Sequence, residues 1–351
     1  MQNPTHPDRI IDPANTPAMD ANEDSASAIR PKKLDDFVGQ AQIKKNLSMT
    51  IGSAKKRNAA MDHLLFFGPP GLGKTTLAQI VASELGVNFR ATAGPVLTRS
   101  GDIAAILTAL QENDVLFIDE IHRLQPSVEE ILYSAMEDFQ IDILIGEGAS
   151  AKSIRLNLKP FTLIAATTRA GLIAKPLRDR FGLTLHLDFY NDVDLGVIIT
   201  RQTKFFDFTL GDGGSHEIAK RSRGTPRVAG RLTRRVRDHG VINKLKTIDK
   251  NMVINAMENL AIDRLGLDDL DRKYLTCLAE LYRGGPTGID NLSAALGNER
   301  DILEEVVEPF LIQKGFVIRS SRGRMLGKEG YDYLGIKPPS SIISNDILPL
   351  E

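Results

Sequence analysis

The residues with the clearest chemical capacity lie in Gly68-Pro69-Pro70-Gly71-Leu72-Gly73-Lys74-Thr75. Gly68, Gly73, Lys74 and Thr75 fill the fixed positions of G-x-x-x-x-G-K-[ST], a phosphate-binding pattern. The apolar run Leu64-Leu65-Phe66-Phe67 before it reads as a buried strand. After it, Leu77, Ile80, Val81 and Leu85 recur at helical spacing. A glycine turn between strand and helix aims main-chain N–H groups at an anion, and the helix N-terminus adds positive potential. Lys74 would reach the β- and γ-phosphates of a nucleotide, and the Thr75 hydroxyl would ligate Mg2+. A chance glycine-rich turn would not require both flanking elements.

A second group answers this loop. Val115-Leu116-Phe117-Ile118 runs straight into Asp119-Glu120. A buried parallel strand presents such carboxylates at its C-terminal end, where α/β sheets bind ligands. Asp119 would hold Mg2+ through water, and Glu120 would polarise the attacking water. Another apolar strand, Phe161 to Ala166, ends in Thr167-Thr168. A hydroxyl there, as on Thr168, would sense the γ-phosphate or orient the water. Leu177-Arg178-Asp179-Arg180-Phe181 then places two arginines before a strand in which Leu183, Leu185 and Leu187 alternate. That position suits an arginine finger supplied by a neighbouring subunit, from either Arg178 or Arg180.

These groups need a scaffold, and the totals bound it. The 351 residues suffice for two or three domains. A net charge of -1 leaves nucleic-acid contact to local patches. The single cysteine, Cys277, excludes an intrachain disulfide and a cysteine metal cluster. No run approaches a membrane span, no signal-peptide core opens the chain, and a cytoplasmic location is expected.

Residues 1–28 are poor in large apolar side chains and are expected to be disordered. Ile43, Leu47 and Ile51 line one face of a helix from about Ala41 to Arg57, which either covers the adenine or only packs. Further helices are expected from Gly101 to Leu110 and from Pro126 to Asp138. Ile141, Ile143 and Ile145, then Ile154, Leu156 and Leu158, alternate about a turn at Gly146 to Lys152, a β-hairpin pattern. Projecting from the body, it would expose an aliphatic docking face.

From Tyr190 the pattern is helical: Val193 to Phe206, His216 to Arg221, Val228 to His239. Eight basic and no acidic residues fall between Lys220 and Arg237, ordinarily a solvated face. Arg227, opening a helix after Gly224-Thr225-Pro226, is placed to face the nucleotide. From Asp263, helices at Asp271 to Tyr282, Ile289 to Leu296 and Arg300 to Gln313 precede a hairpin about Ser320-Ser321-Arg322-Gly323. That order reads as a winged helix, with Arg319, Arg322 and Arg324 meeting DNA phosphates, although a winged helix also binds protein.

Taken together, residues Ile29 to Ile336 resemble the RuvB family of Holliday-junction branch-migration motors within the AAA+ ATPases. The resemblance is carried by Arg30-Pro31-Lys32, Gly68 to Thr76, Val115 to Leu124, Met136-Glu137-Asp138-Phe139 and Thr167-Thr168-Arg169-Ala170-Gly171. It continues through Pro176 to Gly182, Gly224 to Arg227, Gly284 to Leu292 and the basic wing. The implied fold is α/β: a P-loop AAA+ parallel-sheet domain over 29–190, a helical lid over 191–262 and a winged-helix head over 263–351. The resemblance implies that Ile29 and Arg30 contact the adenine side and that Gly71, Lys74, Thr75 and Thr76 hold phosphates and Mg2+. It places Glu137, Asp138 and Phe139 at the nucleotide-facing subunit boundary, Arg180 as the finger, and Tyr190 and Arg227 on the lid side of the ATP. Arg300, Arg319 and Arg324 fit DNA-contacting positions. The implied partners are a homo-hexamer, duplex DNA at Holliday junctions, RuvA through the Ile141–Leu158 hairpin, and the resolvase RuvC. Gly213-Gly214-Ser215 and Met325 to Glu329 depart from the family pattern.

A clamp-loader-like or initiator ATPase acting on DNA is the competing function, sharing the site but acting as a switch. A protein unfoldase is disfavoured, because Ala91 to Gly101 offers no aromatic pore residue.

Overall fold

A computed structural model describes residues 30–145 and 152–338. Its first domain is built on strands β1 (Leu64–Phe67), β2 (Phe89–Ala93), β3 (Val115–Asp119), β6 (Thr162–Thr167) and β7 (Leu183–His186). β4 (Gln140–Ile145) and β5 (Lys152–Asn157) form a separate two-stranded antiparallel sheet. The main sheet runs β2-β3-β6-β1-β7 with every neighbouring pair parallel. Parallel strands covered on both faces read as unbroken apolar runs, which is why 64–67 and 115–118 lack alternation. Leu64, Phe66, Phe117 and Ile164 pack on one face, with the helices Ala41–Arg57 and Lys74–Leu85. Leu65, Leu116, Ile118 and Leu163 pack on the other, with Ser100–Thr108 and Pro126–Asp138.

Register fixes what emerges at the sheet's C-terminal edge. Phe67 pairs with Thr167, and Ile118 pairs with Ala165. The phosphate loop, Asp119 and Thr167-Thr168 therefore leave three adjacent strands together. The helix Ala41–Arg57 buries Ile43, Leu47, Ile51 and Ala54 in the core and is a packing helix. The segment before it, Phe37-Val38, is what reaches the nucleotide cleft.

The hairpin's aliphatic face is only partly free. Ile141 and Leu158 are buried and Leu156 packs on the same core, whereas Ile154 is 43% exposed. The base is thus anchored, and the turn at 146–151 lies outside the described residues. An Asp142–Arg155 cross-strand pair at 2.9 Å braces the opposite face.

The lid contains helices Asp192–Phe205, Gly214–Lys220, Pro226–Ile242 and Lys250–Asn259. Side chains of Asn191, Thr225 and Asp249 cap three of them. The fourth helix, and a short parallel pairing of Thr209–Leu210 with Thr247–Ile248, go beyond the sequence reading.

In the head, Asp269–Glu280 and Ile289–Leu296 are regular helices. The stretch expected as one helix from Arg300 to Gln313 is broken. Arg300–Ile302 passes into a π-helical turn at Leu303–Val307 before Glu308–Gln313 resumes. Pro309 supplies the reason: it has no N–H to donate backwards, and its ring crowds the preceding turn. The wing strands are Val317–Ser320 and Gly323–Leu326, followed by an unanticipated helix, Lys328–Leu334.

Lid and head are joined through Arg223. It is buried, pairs with Asp268 at 2.7 Å and with Asp271, and donates to the Gly266 carbonyl at 3.0 Å.

Candidate functional site

Gly68 and Gly71 have φ of 141° and 82°. A Cβ on Gly68 would lie 2.5 Å from the Leu187 carbonyl oxygen, and one on Gly71 would lie 2.8 Å from Arg227 Cβ. Both positions therefore need glycine. Lys74, 8% exposed, turns back on the loop and donates to the Gly68 and Pro69 carbonyls at 2.7 and 2.9 Å. Burial pushes its pKa down to about 8 and Arg227 adds to the fall, while Asp119 and Glu120 oppose it.

A cavity of about 330 Å³ opens beside the loop. It brings together Arg30, Gly71, Lys74, Thr75, Thr76, Asp119, Glu120, Thr168, Tyr190 and Arg227, ten positions expected from the sequence. Ile29 lies outside the described residues. Phe37, Val38 and Ile198 make part of the wall apolar. Gln202, also in the wall, has a buried Oε1 without a hydrogen-bond partner among the described residues. An apolar slot with a waiting acceptor, next to an anion loop, fits a nucleotide with an exocyclic amine on its base. The Tyr190 hydroxyl donates to the Leu72 carbonyl at 3.2 Å, and the Arg227 main-chain N–H donates to the Gly71 carbonyl at 3.3 Å. These bonds tie the lid side of the cavity directly to the loop.

The carboxylate side is more elaborate than anticipated. Asp119 accepts the Glu120 main-chain N–H at 3.0 Å, and Glu120 sits at φ 49°. Thr168 Oγ1 lies 3.5 Å from Glu120 Oε2. His122, which sequence reasoning passed over, places Nδ1 3.2 Å from Glu120 Oε2 and 2.9 Å from Thr167 Oγ1. Burial holds this imidazole below its ordinary pKa, while the Glu120 charge works against that fall. The only signal was its place two residues after the carboxylate pair.

Arg201 and Arg234 also reach the cavity wall. The basic run at 220–237 is therefore a solvated face only in part, with Lys220, Arg231 and Arg235 exposed. Arg221 and Arg223 are buried in ion pairs, Arg227 and Arg234 line the cavity, and Arg235 and Arg237 pair with Asp238.

Arg180 does not line the cavity of its own chain. It donates to Glu137 Oε2 at 2.7 Å, to the Pro176 carbonyl at 2.7 Å and to the Tyr133 carbonyl at 3.3 Å. Glu137 and Asp138 are exposed on the same helix end. Phe139 follows them half-buried, its ring packing against Phe161 and His63 at 5.8 and 6.4 Å between centroids.

The wing arginines also divide. Arg319 and Arg324 are cross-strand partners. Arg319 is 57% exposed in its side chain, with Glu304 at 3.6 Å. Arg300 is 54% exposed, with Glu304 at 3.3 Å and Asp290 at 3.5 Å. Arg324 is 8% exposed and holds Glu304 at 2.7 Å and Glu308 at 2.9 Å. Glu308 is itself buried, so releasing Arg324 to DNA would leave a buried carboxylate unpaired. Arg324 is thus held in the ion-pair network beneath the wing, next to the exposed Arg319. Arg322 stands exposed at the tip of the wing.

A five-stranded parallel sheet, phosphate loop, paired carboxylates, helical lid and appended winged helix define a P-loop AAA+ ATPase with a head domain. Family profiles refine that class. Residues 29–187 match the Holliday junction DNA helicase RuvB P-loop domain, 190–263 the RuvB AAA lid domain, and 264–335 the RuvB C-terminal winged helix domain. The chain belongs to the RuvB family. It is 56% identical over 333 residues to the Holliday junction branch migration complex subunit RuvB of Gluconobacter oxydans, covering 95% of this chain and 94% of that one. The protein of the same description from Paramagnetospirillum magneticum is 53% identical over 335 residues, covering 95% of each. The solved Thermotoga maritima RuvB Holliday junction branch migration motor is 51% identical with a TM-score of 0.82, covering 89% of this chain and 99% of that one.

Proposed function

We propose that this protein is an ATP-driven motor that moves Holliday junctions along duplex DNA during recombination and repair. The observation that carries the reading is the convergence of Lys74, Asp119, Glu120, Thr168 and Arg227 on one cavity, in a chain whose three domains all match the RuvB profiles. Lys74 exchanges its two loop carbonyls for phosphate oxygens. Glu120 accepts the proton of the attacking water, and Thr168 orients that water beside it. Thr75 and Asp119 would hold Mg2+, which neutralises phosphate charge when bound. Arg180 leaves Glu137 to stabilise transition-state charge at the neighbouring subunit's site, with Arg178 as the near alternative.

The motor assembles as a hexamer in the cytoplasm. Arg300, Arg319 and Arg322 of the head meet DNA phosphates, which position the duplex and carry no sequence information. The β4–β5 hairpin docks RuvA, with RuvC joining a larger complex. Among the described residues no helix is long and apolar enough to cross a membrane.

The deciding assay is ATP-dependent migration of a synthetic four-way junction with and without RuvA. Migration that requires both ATP and RuvA is the expected result. Intact ATPase activity without migration would move the assignment to a clamp-loader-like switch.

A further inference from the structure

His122 stands on the short 3-10 turn Ile121–Arg123, directly after Glu120. Its side chain is 6% exposed. One atom, Nδ1, faces two oxygens: Glu120 Oε2 at 3.2 Å and Thr167 Oγ1 at 2.9 Å. A bare lone pair on Nδ1 would repel the carboxylate. A proton there makes both contacts attractive, with Glu120 and the threonine hydroxyl sharing one donor. Thr167 Oγ1 also accepts the Arg169 main-chain N–H at 2.9 Å, which its second lone pair permits. A carboxylate tethered through one oxygen keeps the other for water.

The chain of contacts does not stop at Thr167. The Arg169 guanidinium leaves the site and pairs with Asp301 at 3.1 Å and Glu305 at 2.7 Å. Both acids belong to the head, and Glu305 lies in its π-helical turn. Arg169 does not line the nucleotide cavity, and among the described residues its ion-pair partners, Asp301 and Glu305, both lie in another domain.

We infer that His122 is a positioning residue for Glu120, and that the winged-helix domain sets it through Asp301 and Glu305, Arg169 and Thr167. A shift of the head would move Arg169, and with it the hydroxyl that shares the His122 proton. The inference rests on Glu120 acting as the water-activating base.

The test uses the full-length protein and steady-state ATPase kinetics, with thermal melting as a control. Glu120→Gln is measured first. Loss of turnover is expected, and retained turnover would overturn the base assignment together with this inference. His122→Ala should lower kcat by roughly 10- to 100-fold, the scale of a misplaced catalytic group, with KM within about twofold. His122→Asn offers an amide N–H near the Nδ1 position and should recover most of that loss. Unchanged kcat in His122→Ala, or loss of melting temperature in step with kcat in both variants, would overturn the positioning role while leaving Glu120 as base. The double change Asp301→Asn with Glu305→Gln should lower kcat severalfold, and should add nothing in the His122→Ala background, because coupled residues are non-additive. Fully additive losses would overturn the link to the head.

Discussion

Two buried cations, Lys74 and Arg324, lie in different domains of this molecule, each held by nearby oxygens. Lys74 donates to two oxygens at 2.7 and 2.9 Å, and Arg324 to three at 2.7, 2.9 and 3.3 Å. The difference lies in the partners. Those of Lys74 are neutral carbonyls of a glycine loop, which a phosphate replaces with gain. Those of Arg324 are carboxylates, and Glu308 is 1% exposed and also accepts the Tyr274 hydroxyl at 2.9 Å. Removing the cation there strands a buried negative charge. A cation whose partners are neutral and replaceable is available to a ligand. A cation that neutralises buried acids is part of the frame. Arg223, between Asp268 and Asp271, belongs to the second kind.

The largest effects should come from the first kind. Glu120→Gln should reduce turnover by roughly 10²- to 10⁴-fold, the range of general-base catalysis, with nucleotide binding retained. Lys74→Ala should abolish nucleotide binding while leaving the melting temperature nearly unchanged. Equilibrium binding of a fluorescent ATP analogue checks both. Arg324→Ala should do the reverse, destabilising the head by about 3–5 kcal/mol in denaturant unfolding, the usual effect of breaking a buried ion pair. Its exposed partner sharpens the contrast. Arg319→Ala should change stability by no more than about 0.5 kcal/mol. It should weaken duplex DNA binding across sequences and reduce the salt slope by about 1. An Arg319→Ala protein that unfolds early, with DNA affinity intact, would erase the division between the two arginines.

The smallest effect is a pH dependence. Free Lys74 loses its proton near pH 8, whereas a bound phosphate would hold that proton to higher pH. ATP affinity should therefore be flat below about pH 8 and fall as pH rises above it. In Lys74→Arg the group stays charged, and the fall should vanish from a binding titration.

Much of the site was legible because its chemistry is local. Gly68 to Thr75 and Asp119-Glu120 are contiguous in sequence, and unbroken apolar strands mark where they emerge. What was hidden depends on the third dimension. Arg319 and Arg324 look alike in sequence, and only Glu304 and Glu308, contributed by the broken helix before the wing, separate them. His122 and Gln202 carry no pattern of their own. The left-handed backbone of Phe139 at φ 51°, which turns the chain after the helix and lets its ring pack against Phe161, carries no sequence signal either. The break at Leu303–Val307 was signalled by Pro309, which sits inside an otherwise helical run.

The central claim is that the Lys74 site of one subunit is completed by Arg180 of the next. Lys74→Ala protein offers a sound Arg180 but no working loop, and Arg180→Ala protein offers the opposite. The direct measurement is the ATPase rate of the two variants mixed under assembling conditions. Each alone should be nearly inactive, and the mixture should recover activity that rises and falls with the mixing ratio. A mixture that forms mixed rings yet stays as inactive as its components, or an Arg180→Ala protein that hydrolyses ATP normally by itself, would contradict the account.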